Sequence, residues 1–317
     1  MAAGAGGVRE GGRIVTSLPG TERANEATTP LDEMSTLDML QLFNREDARI
    51  PAAVAAELPA VGLAVDAVAD RLRRGGRLIL LGAGTSGRLA LMQAAEAPPT
   101  FGIPHTTVIG VMAGGSDAAV RPREGAEDDA AGGADQILGL EVGGSDAVVG
   151  ISASGRTAFV LGALAEARAR SALTVGLCCD HPAPVSEAVD IAIHPIVGPE
   201  IVAGSTRLKA GTAQKLVLDM LTTAVMVRLG LVHQNLMVGV QGTSAKLRAR
   251  ARRIVEQVSG LSGAPVEEAL AESGGSARVA IVMLARGVGA AEATRLLATG
   301  RRLADILAND GQERPDG

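Results

Sequence analysis

Two stretches of this chain share one arrangement: a short apolar run, a loop of glycine and hydroxyl residues, and a helix-like segment. In the first, Arg77–Leu81 precedes the loop Gly82–Arg88; in the second, Ala147–Ile151 precedes the loop Ser152–Thr157. An apolar run of this length bounded by glycine is typical of a strand buried on both faces. Such strands belong to parallel sheets, in which a helix carries the chain back to the start of the next strand. The repeated arrangement therefore indicates an α/β fold with a parallel sheet.

Strand-like and helix-like segments alternate through the middle of the chain, which predicts a doubly wound parallel five-stranded sheet with helices on both faces. Ahead of the sheet we expect a helix over Leu37–Phe43, opened by Ser35 or Thr36, and a longer helix over 50–74. The predicted strands are Arg77–Leu81, Thr107–Met112, Ala147–Ile151, Leu173–Cys178 and Ile191–Pro195, and the helices that follow are Gly87–Ala95, Ser116–Ile137 with a break, Thr157–Ala169 and Ser205–Gly230.

The pattern changes after residue 242, where a basic segment and several short helices broken by glycine replace the alternation. We therefore expect a sheet domain with N-terminal helices over 21–242 and a small helical domain over 243–310. Residues 1–20, rich in glycine and alanine, predict a disordered tail, and residues 311–317 predict a polar tail.

The composition argues against several classes of protein. The net charge is −5 and only three aromatic side chains are present, so neither a basic surface nor a stacking platform indicates nucleic acid binding. No stretch reaches the roughly 18 uninterrupted apolar residues of a membrane span, and the N-terminus lacks a signal-peptide pattern. The adjacent Cys178 and Cys179 point to opposite faces of a strand, which predicts buried thiols in a reducing compartment. We expect a cytoplasmic protein with no membrane or nucleic acid partner.

Ligands of parallel sheets bind at the carboxyl ends of the strands, and both glycine loops fall there. Small residues let backbone N–H groups turn toward a ligand, and the helix after each loop adds its positive end. Hydroxyl groups can complete such an anion site, and those available are Ser86, Ser152, Ser154 and Thr157. The two loops together predict a site for a phosphorylated small molecule.

The first loop also satisfies the dinucleotide pattern Gly82-x-Gly84-x-x-Gly87. That pattern requires an acidic residue at the end of the next strand, where this chain has Gly114-Gly115. The Walker pattern fails as well, because no Lys-Ser/Thr pair follows the glycines. The four histidines are scattered without metal-ligand spacing. We therefore expect neither a nucleotide cofactor nor a metal.

Two groups of carboxylates are candidates for proton transfer. Glu96 lies in an apolar stretch expected to end the helix after the first loop, where the negative helix end and apolar neighbours favour a protonated acid. A solvated glutamate at a helix end is the alternative. The run Glu124–Asp129 places Glu127 among other carboxylates, which suits an acid or base near neutrality. A solvated helix start is the alternative for this run.

A third segment, 198–215, places Ser205 or Thr206 at the start of a helix, with Lys209 and Lys215 close by. This segment could close over an anionic sugar, or it could be only a capped basic helix.

Taken together, these motifs resemble those of the N-acetylmuramic acid 6-phosphate etherase family, whose members contain a sugar isomerase (SIS) domain. The similarity extends from about Thr21 through the C-terminal helices. The loops alone indicate a sugar-phosphate SIS domain, and the two glutamate motifs indicate the etherases. The motifs are Leu-Gly-Ala-Gly-Thr-Ser-Gly-Arg-Leu at 81–89, Ala-Glu-Ala-Pro-Pro-Thr-Phe-Gly at 95–102, Glu-Gly-Ala-Glu-Asp-Asp at 124–129, Ser-Ala-Ser-Gly-Arg-Thr at 152–157 and Gly-Ser-Thr-Arg-Leu-Lys-Ala-Gly-Thr-Ala-Gln-Lys-Leu-Val-Leu at 204–218.

The resemblance implies cleavage of the D-lactyl ether at C3 of N-acetylmuramic acid 6-phosphate by elimination and then hydration. It implies that Glu96 is the proton donor and Glu127 the second catalytic carboxylate, without a metal or organic cofactor. Family members form homodimers, so the partner subunit can contribute to the pocket. The residues expected to bind the substrate and its phosphate are Thr85, Ser86, Gly87, Ser152, Ser154, Gly155, Thr157, Ser205 and Lys209.

The chain departs from the family pattern at four positions. Ala97 stands where Cys is common, and Gly239, Gly242 and Ser244 stand where Asp, Ala and Asn are usual. The two added glycines, if they lie in a helix, would cost about 1 kcal/mol each.

Two other functions would use the same phosphate site. An aldose–ketose sugar-phosphate isomerase needs this site and a base at C2. A non-catalytic sugar-phosphate sensor needs the site alone.

Overall fold

The computed structural model describes residues 18–28, 30–121, 123–299 and 302–308. The predicted five-stranded parallel sheet is confirmed, with strand order β2-β1-β3-β4-β5. Each observed strand agrees with its predicted range to within two residues at either end. The strands are β1 (Leu78–Gly82), β2 (Val108–Met112), β3 (Ala147–Ile151), β4 (Leu173–Leu177) and β5 (Ile191–Ile193).

Helices precede, alternate with and follow the strands. The helices are α1 (Thr36–Asp47), α2 (Ile50–Ala56), α3 (Leu58–Arg73), α4 (Gly84–Phe101), α5 (Ala130–Gly139), α6 (Ala158–Ala169), α7 (Pro184–Ala188), α8 (Lys209–Arg228), α9 (Ala245–Ser259), α10 (Ala264–Glu272), α11 (Ala277–Arg286), α12 (Ala290–Ala298) and α13 (Leu303–Leu307). Short 3₁₀ turns include Gly20–Glu22 and Ala126–Asp128.

The strands are apolar along their whole length because both faces of the sheet are covered. Leu78 and Leu80 of β1 pack into a core with α2, α3, α4 and α8, whereas Ile79 and Leu81 pack into a second core with α5, α6 and α7. Successive side chains of a strand point to opposite faces, so a strand between two helical layers needs apolar residues at every position. This burial explains why the strands were predictable.

The predicted helix bounds agreed less well than those of the strands, and two of the differences involve proline residues. The single helix expected over 50–74 is divided at Glu57 into α2 and α3, because Pro59 at the start of α3 has no N–H and its ring excludes the preceding turn. The helix after the first loop does not end at Ala95 but continues through Pro98 to Phe101. Burial of Pro98 and Phe101 supports the last turn, although Pro98 and Pro99 both lack the N–H that would donate within the helix.

The helices α9 to α13 form a third core of their own, which also takes in Val238 and Val240. The stretch between α8 and α9 is not helical, so the expected helical cost of Gly239 and Gly242 does not arise. Gly239 instead meets the end of α4, where a Cβ would lie 2.2 Å from the carbonyl oxygen of Phe101. The domain boundary at 242/243 remains a prediction, and the tails expected over 1–20 and 311–317 fall almost wholly outside the described residues.

Both cysteines are buried free thiols at the end of β4, as expected. Within the described ranges, no single helix has the length and apolar character to cross a membrane. The bent pair Thr36–Ala56 and Leu58–Arg73 meets that test by length and composition only.

Candidate active site

The two glycine loops lie side by side. They follow β1 and β3, which are neighbours in the sheet although β2 comes between them in the chain. The chain runs outward from β1 to β2 on one side and from β3 to β4 on the other, so the loops flank the point where the strand order reverses. This is where ligands bind in sheets of this kind. A cleft of about 390 Å³ opens there, and both loops line it through Thr85, Ser86, Ser152, Ser154 and Thr157.

Both helices that start at the cleft have N-terminal ends without a side-chain cap. Neither α4, which starts at Gly84, nor α6, which starts at Ala158, has a side-chain cap. The first N–H groups of a helix have no partner within the helix and carry the positive end of its dipole. Two such ends beside a row of hydroxyl groups make the cleft suited to an anion such as phosphate.

Hydrogen bonds within the second loop fix its shape. The Oγ of Ser152 lies 2.8 Å from the Oγ1 of Thr157 and accepts the backbone N–H of Gly155 at 3.0 Å. The Oγ of Ser154 accepts the N–H of Arg156 at 3.3 Å. Gly155 has φ of +67°, and a Cβ there would lie 2.6 Å from the Cβ of Ala183. Gly155 therefore shapes the loop rather than lining the cleft.

The first loop is tied to α8. The Oγ of Ser86 donates to the Oε1 of Gln214 at 2.9 Å, and both side chains are buried. The Nε2 of Gln214 is buried without a partner among the described residues. Gly87 is also buried, and a Cβ there would lie 2.6 Å from the carbonyl oxygen of Gly82. Gly87 thus permits the close turn of the loop and does not line the cleft.

Glu127 faces the same cleft as the two loops. It lies in the 3₁₀ turn Ala126–Asp128, between Gly125 with φ of +73° and Asp129. Asp129 caps α5 by accepting the N–H of Gly132 at 2.8 Å. The residues of the acidic run therefore differ in role. Asp129 caps a helix, whereas Glu127 and Asp128 are exposed at the cleft.

Comparison with known proteins identifies the family of this chain. A family model described as "SIS domain" matches residues 136–224, and one described as "Glucokinase regulatory protein N-terminal SIS domain" matches residues 60–168. The N-acetylmuramic acid 6-phosphate etherase of Rubrobacter xylanophilus is 54% identical over 283 residues, which cover 88% of this chain and 93% of that protein. This chain belongs to the N-acetylmuramic acid 6-phosphate etherase family.

A second etherase, that of Serratia proteamaculans, is 50% identical over 277 residues, 87% of this chain and 93% of that protein. Among solved structures, a phosphoheptose isomerase from Francisella tularensis is 19% identical with a TM-score of 0.49, over 61% of this chain and 100% of that chain. That likeness is too distant to bear on the chemistry of the site.

The two glutamates singled out by the etherase resemblance do not meet within one protomer. Glu96 lies in the second half of α4, roughly 18 Å along the helix axis from Gly84 at the cleft. It is exposed and does not line the cleft that Glu127 faces. The expected position at a helix end was wrong, because α4 continues for five residues beyond Glu96.

The third segment of the etherase motif is built differently from the expectation. Neither Ser205 nor Thr206 caps α8, which begins at Lys209. The buried carboxylate of Glu200 accepts the N–H groups of Lys209 at 2.9 Å and Ala210 at 3.0 Å instead. The prediction of a serine or threonine N-cap was therefore wrong, because a carboxylate from the preceding loop takes its place.

Lys209 is buried in an ion pair and does not face the cleft. Its Nζ lies 2.8 Å from the Oε2 of Glu46, and both side chains are almost fully buried. Burial is the largest single influence and opposes the ionisation of Glu46, but the hydrogen bond and charge of Lys209, together with Asn25 and Arg49, outweigh it and lower the pKa of Glu46. Burial raises the pKa of Glu200, and the N–H groups of α8 oppose that rise. Lys209 thus anchors α8 to α1, and Thr206 rather than Ser205 lines the cleft.

Four polar residues line the cleft that were not among the predicted catalytic or substrate-binding residues: Glu22, Asp128, Arg156 and Thr206. Three of them, Asp128, Arg156 and Thr206, lie inside the motifs quoted above. Their position next to predicted site residues could have identified them as candidates. Glu22 lies in a polar N-terminal stretch with no pattern of its own. Only the folded chain brings Glu22 to the site.

Proposed function

We propose that this chain cleaves the ether between D-lactate and C3 of N-acetylmuramic acid 6-phosphate, releasing D-lactate and N-acetylglucosamine 6-phosphate. The observation that carries the proposal is one cleft in which two uncapped helix ends and a row of hydroxyl groups face Glu127. The 54% identity to a protein named for this reaction, over nearly the whole chain, supports the same substrate.

The 6-phosphate binds between the two loops. Its oxygens accept hydrogen bonds from the first backbone N–H groups of α4 and α6. They also accept hydrogen bonds from the hydroxyl groups of Thr85, Ser86, Ser154 and Thr157. Arg156 lines the same cleft and adds a positive charge. The sugar ring then extends from the loops toward Glu127.

The reaction proceeds by elimination and hydration. Opening of the sugar ring exposes an aldehyde at C1, which acidifies the proton on C2. A carboxylate removes that proton, the C3–O bond breaks, and the lactyl oxygen is protonated as lactate leaves. Water then adds across the new C2=C3 bond, with its oxygen on C3 and a proton on C2. Two carboxylates suffice for these proton transfers, Glu96 as donor to the lactyl oxygen and Glu127 as the group that activates water.

Glu96 is remote from the cleft of its own chain, so a catalytic Glu96 would have to come from a second subunit. We include in the proposal a homodimer in which Glu96 of one protomer completes the cleft of its partner. The helices α3, α4 and α8 lie in one layer, and this layer leaves Leu63, Met220 and Val227 exposed to solvent. Exposed apolar side chains on the layer that carries Glu96 support an interface there.

The first test measures free D-lactate after incubation of the protein with N-acetylmuramic acid 6-phosphate. We expect release by the unaltered chain and a loss of at least about a hundredfold in Glu96→Gln and in Glu127→Gln, because each removes one proton-transfer group. Glu33→Gln, an exposed glutamate in a 3₁₀ turn before α1, is the control and should retain full activity.

The outcomes separate the alternatives. Conversion of a sugar phosphate to its ketose without lactate would indicate an isomerase, and affinity without turnover would indicate a sensor. Lactate release that persists in Glu96→Gln would disprove the catalytic assignment of Glu96 but leave the activity in place.

A further inference from the structure

The N-terminal segment is fixed against the cleft by contacts on both sides of Glu22. The N–H of Gly20 donates to the Oδ1 of Asp180 at 3.2 Å, and the carbonyl of Thr21 accepts the N–H of Gly204 at 3.2 Å. Thr21 is fully buried. Further along, the Nδ2 of Asn25 donates to the Oε2 of Glu46 at 3.1 Å. These contacts set the position of the Glu22 backbone.

The Glu22 side chain occupies space that a glycine leaves open. Gly204 has φ of +75°, and a Cβ there would lie 2.8 Å from the Oε2 of Glu22. Within the described part of the chain, the Glu22 carboxylate has no hydrogen-bond or ion-pair partner. It lines the cleft together with Ser86, Ser154 and Thr206. A carboxylate that has no partner, on a backbone held in place beside hydroxyl-rich loops, is available to a ligand.

Glu22 and Glu127 approach the cleft from opposite sides. The residues that hold Glu22 follow β4 and β5, since Asp180 comes after β4 and Gly204 after β5. Glu127 follows β2, at the other edge of the sheet. The phosphate-binding loops follow β1 and β3, which lie between them. The cleft therefore has donors in its centre and a carboxylate on each side.

A carboxylate in this position does not contribute to phosphate binding, because two negative charges repel each other. Carboxylate oxygens accept hydrogen bonds from hydroxyl and amide N–H groups, and an ionised acceptor makes these bonds strong. An amino-sugar phosphate has such donors on its ring and its anionic charge at C6. We propose that Glu22 is a substrate-binding residue that accepts hydrogen bonds from the ring hydroxyl or amide groups while the loops hold the phosphate. This inference rests on the proposed function for the identity of the sugar.

The proposal predicts opposite effects on two ligands, both measured by calorimetry. Glu22→Gln should weaken binding of N-acetylglucosamine 6-phosphate about tenfold, because a charged acceptor is lost. The same change should leave the affinity for inorganic phosphate equal or raise it about twofold, because a repulsive charge is removed. Glu26→Gln, an exposed glutamate on the same segment that does not line the cleft, is the matched control and should change neither.

Parallel losses of affinity for both ligands would overturn the proposal, and so would a Glu22→Gln protein that behaves as Glu26→Gln does. An equal thermal midpoint in the two variants shows that the fold is kept, and Glu22→Asp provides a second variant that retains the charge. In turnover assays KM should rise with kcat reduced less. If the unaltered chain released no D-lactate, the proposed function would fail, whereas the binding contrast would still decide the role of Glu22.

Discussion

At the scale of the residue, the Ser86 hydroxyl has one proton, and in the structure that proton goes to Gln214 and not toward the cleft. The Nε2 of Gln214 is at the same time buried without a partner. Rotation of the Gln214 amide by half a turn would let Nε2 donate to Ser86 Oγ and would release the hydroxyl proton for a phosphate oxygen. The hydroxyl loops were predictable because each is continuous in the chain. The contact with Gln214, 128 residues from Ser86, was not.

We therefore expect two substitutions of Gln214 to differ in their effect on ligand affinity. Gln214→Glu provides only acceptors, keeps the Ser86 proton and should weaken binding of N-acetylglucosamine 6-phosphate about tenfold. Gln214→Met leaves that proton free for the phosphate and should weaken binding less. Calorimetric titration of both variants checks the order, with thermal melting to confirm folding. Equal affinities in the two variants would contradict the role assigned to Gln214.

At the scale of the element, strands were easier to predict than helix ends, because a strand between two helical layers must be apolar throughout. Helix ends depend on partners from elsewhere in the fold. α8 starts where Glu200 accepts its first N–H groups, and α4 passes Pro98 because that residue is buried. The starts of β1 and β3 are joined in a similar way by Asp146, which accepts the backbone N–H of Arg77 at 2.8 Å and an Nη2 proton at 2.8 Å.

Replacement of Asp146 by Asn should destabilise the sheet by about 1.5–3 kcal/mol at neutral pH, because the half-buried Arg77 guanidinium loses the buried carboxylate that accepts its hydrogen bonds. Burial opposes ionisation of Asp146, but hydrogen bonds from Arg77 and Gly143 prevail and lower its pKa. A lowered pKa in the folded state gives stability that is present above the usual Asp range and is lost as the pH falls through the folded pKa. The unfolding free energies of the unaltered protein and of Asp146→Asn should therefore approach each other as the pH falls.

Denaturant titrations at neutral pH and in steps below about pH 4 measure this convergence. Asp70→Asn is the control, since Asp70 pairs with Arg73 at an exposed site and should contribute at most about 1 kcal/mol. A constant difference between Asp146→Asn and the unaltered protein across the acid range would show that the carboxylate charge is not the source of the stability.

At the scale of the whole molecule, the fold class and the family were predictable from the sequence. Whether one protomer contains every residue of the site was not. The etherase resemblance singles out Glu96 and Glu127 as catalytic candidates but carries no information on which protomer each would serve. The structure separates them within one chain, since α4 carries Glu96 away from the carboxyl ends of the strands. If Glu96 acts as proposed, activity depends on the assembly proposed above.

Mixing two inactive proteins tests that assembly. In a dimer of Glu96→Gln and Glu127→Gln chains, one cleft combines the intact Glu127 of the first chain with the intact Glu96 of the second. Random pairing of equal amounts should restore about a quarter of wild-type activity, because half of the dimers are mixed and half of their sites are whole. D-lactate release after co-expression or subunit exchange provides the measurement. No activity in a verified mixed dimer would show that both glutamates serve the same protomer.

The contact between Gly102 and Gly239 joins the end of α4 to the segment that leads into the C-terminal helices. A Cβ on Gly102 would lie 1.9 Å from the carbonyl oxygen of Gly239. A backbone atom cannot move aside as a flexible side chain can. Any larger residue at Gly102 or Gly239 would therefore force the end of α4 and the segment before α9 apart. This pair of glycines therefore fixes how closely the C-terminal helices approach the helix that carries Glu96.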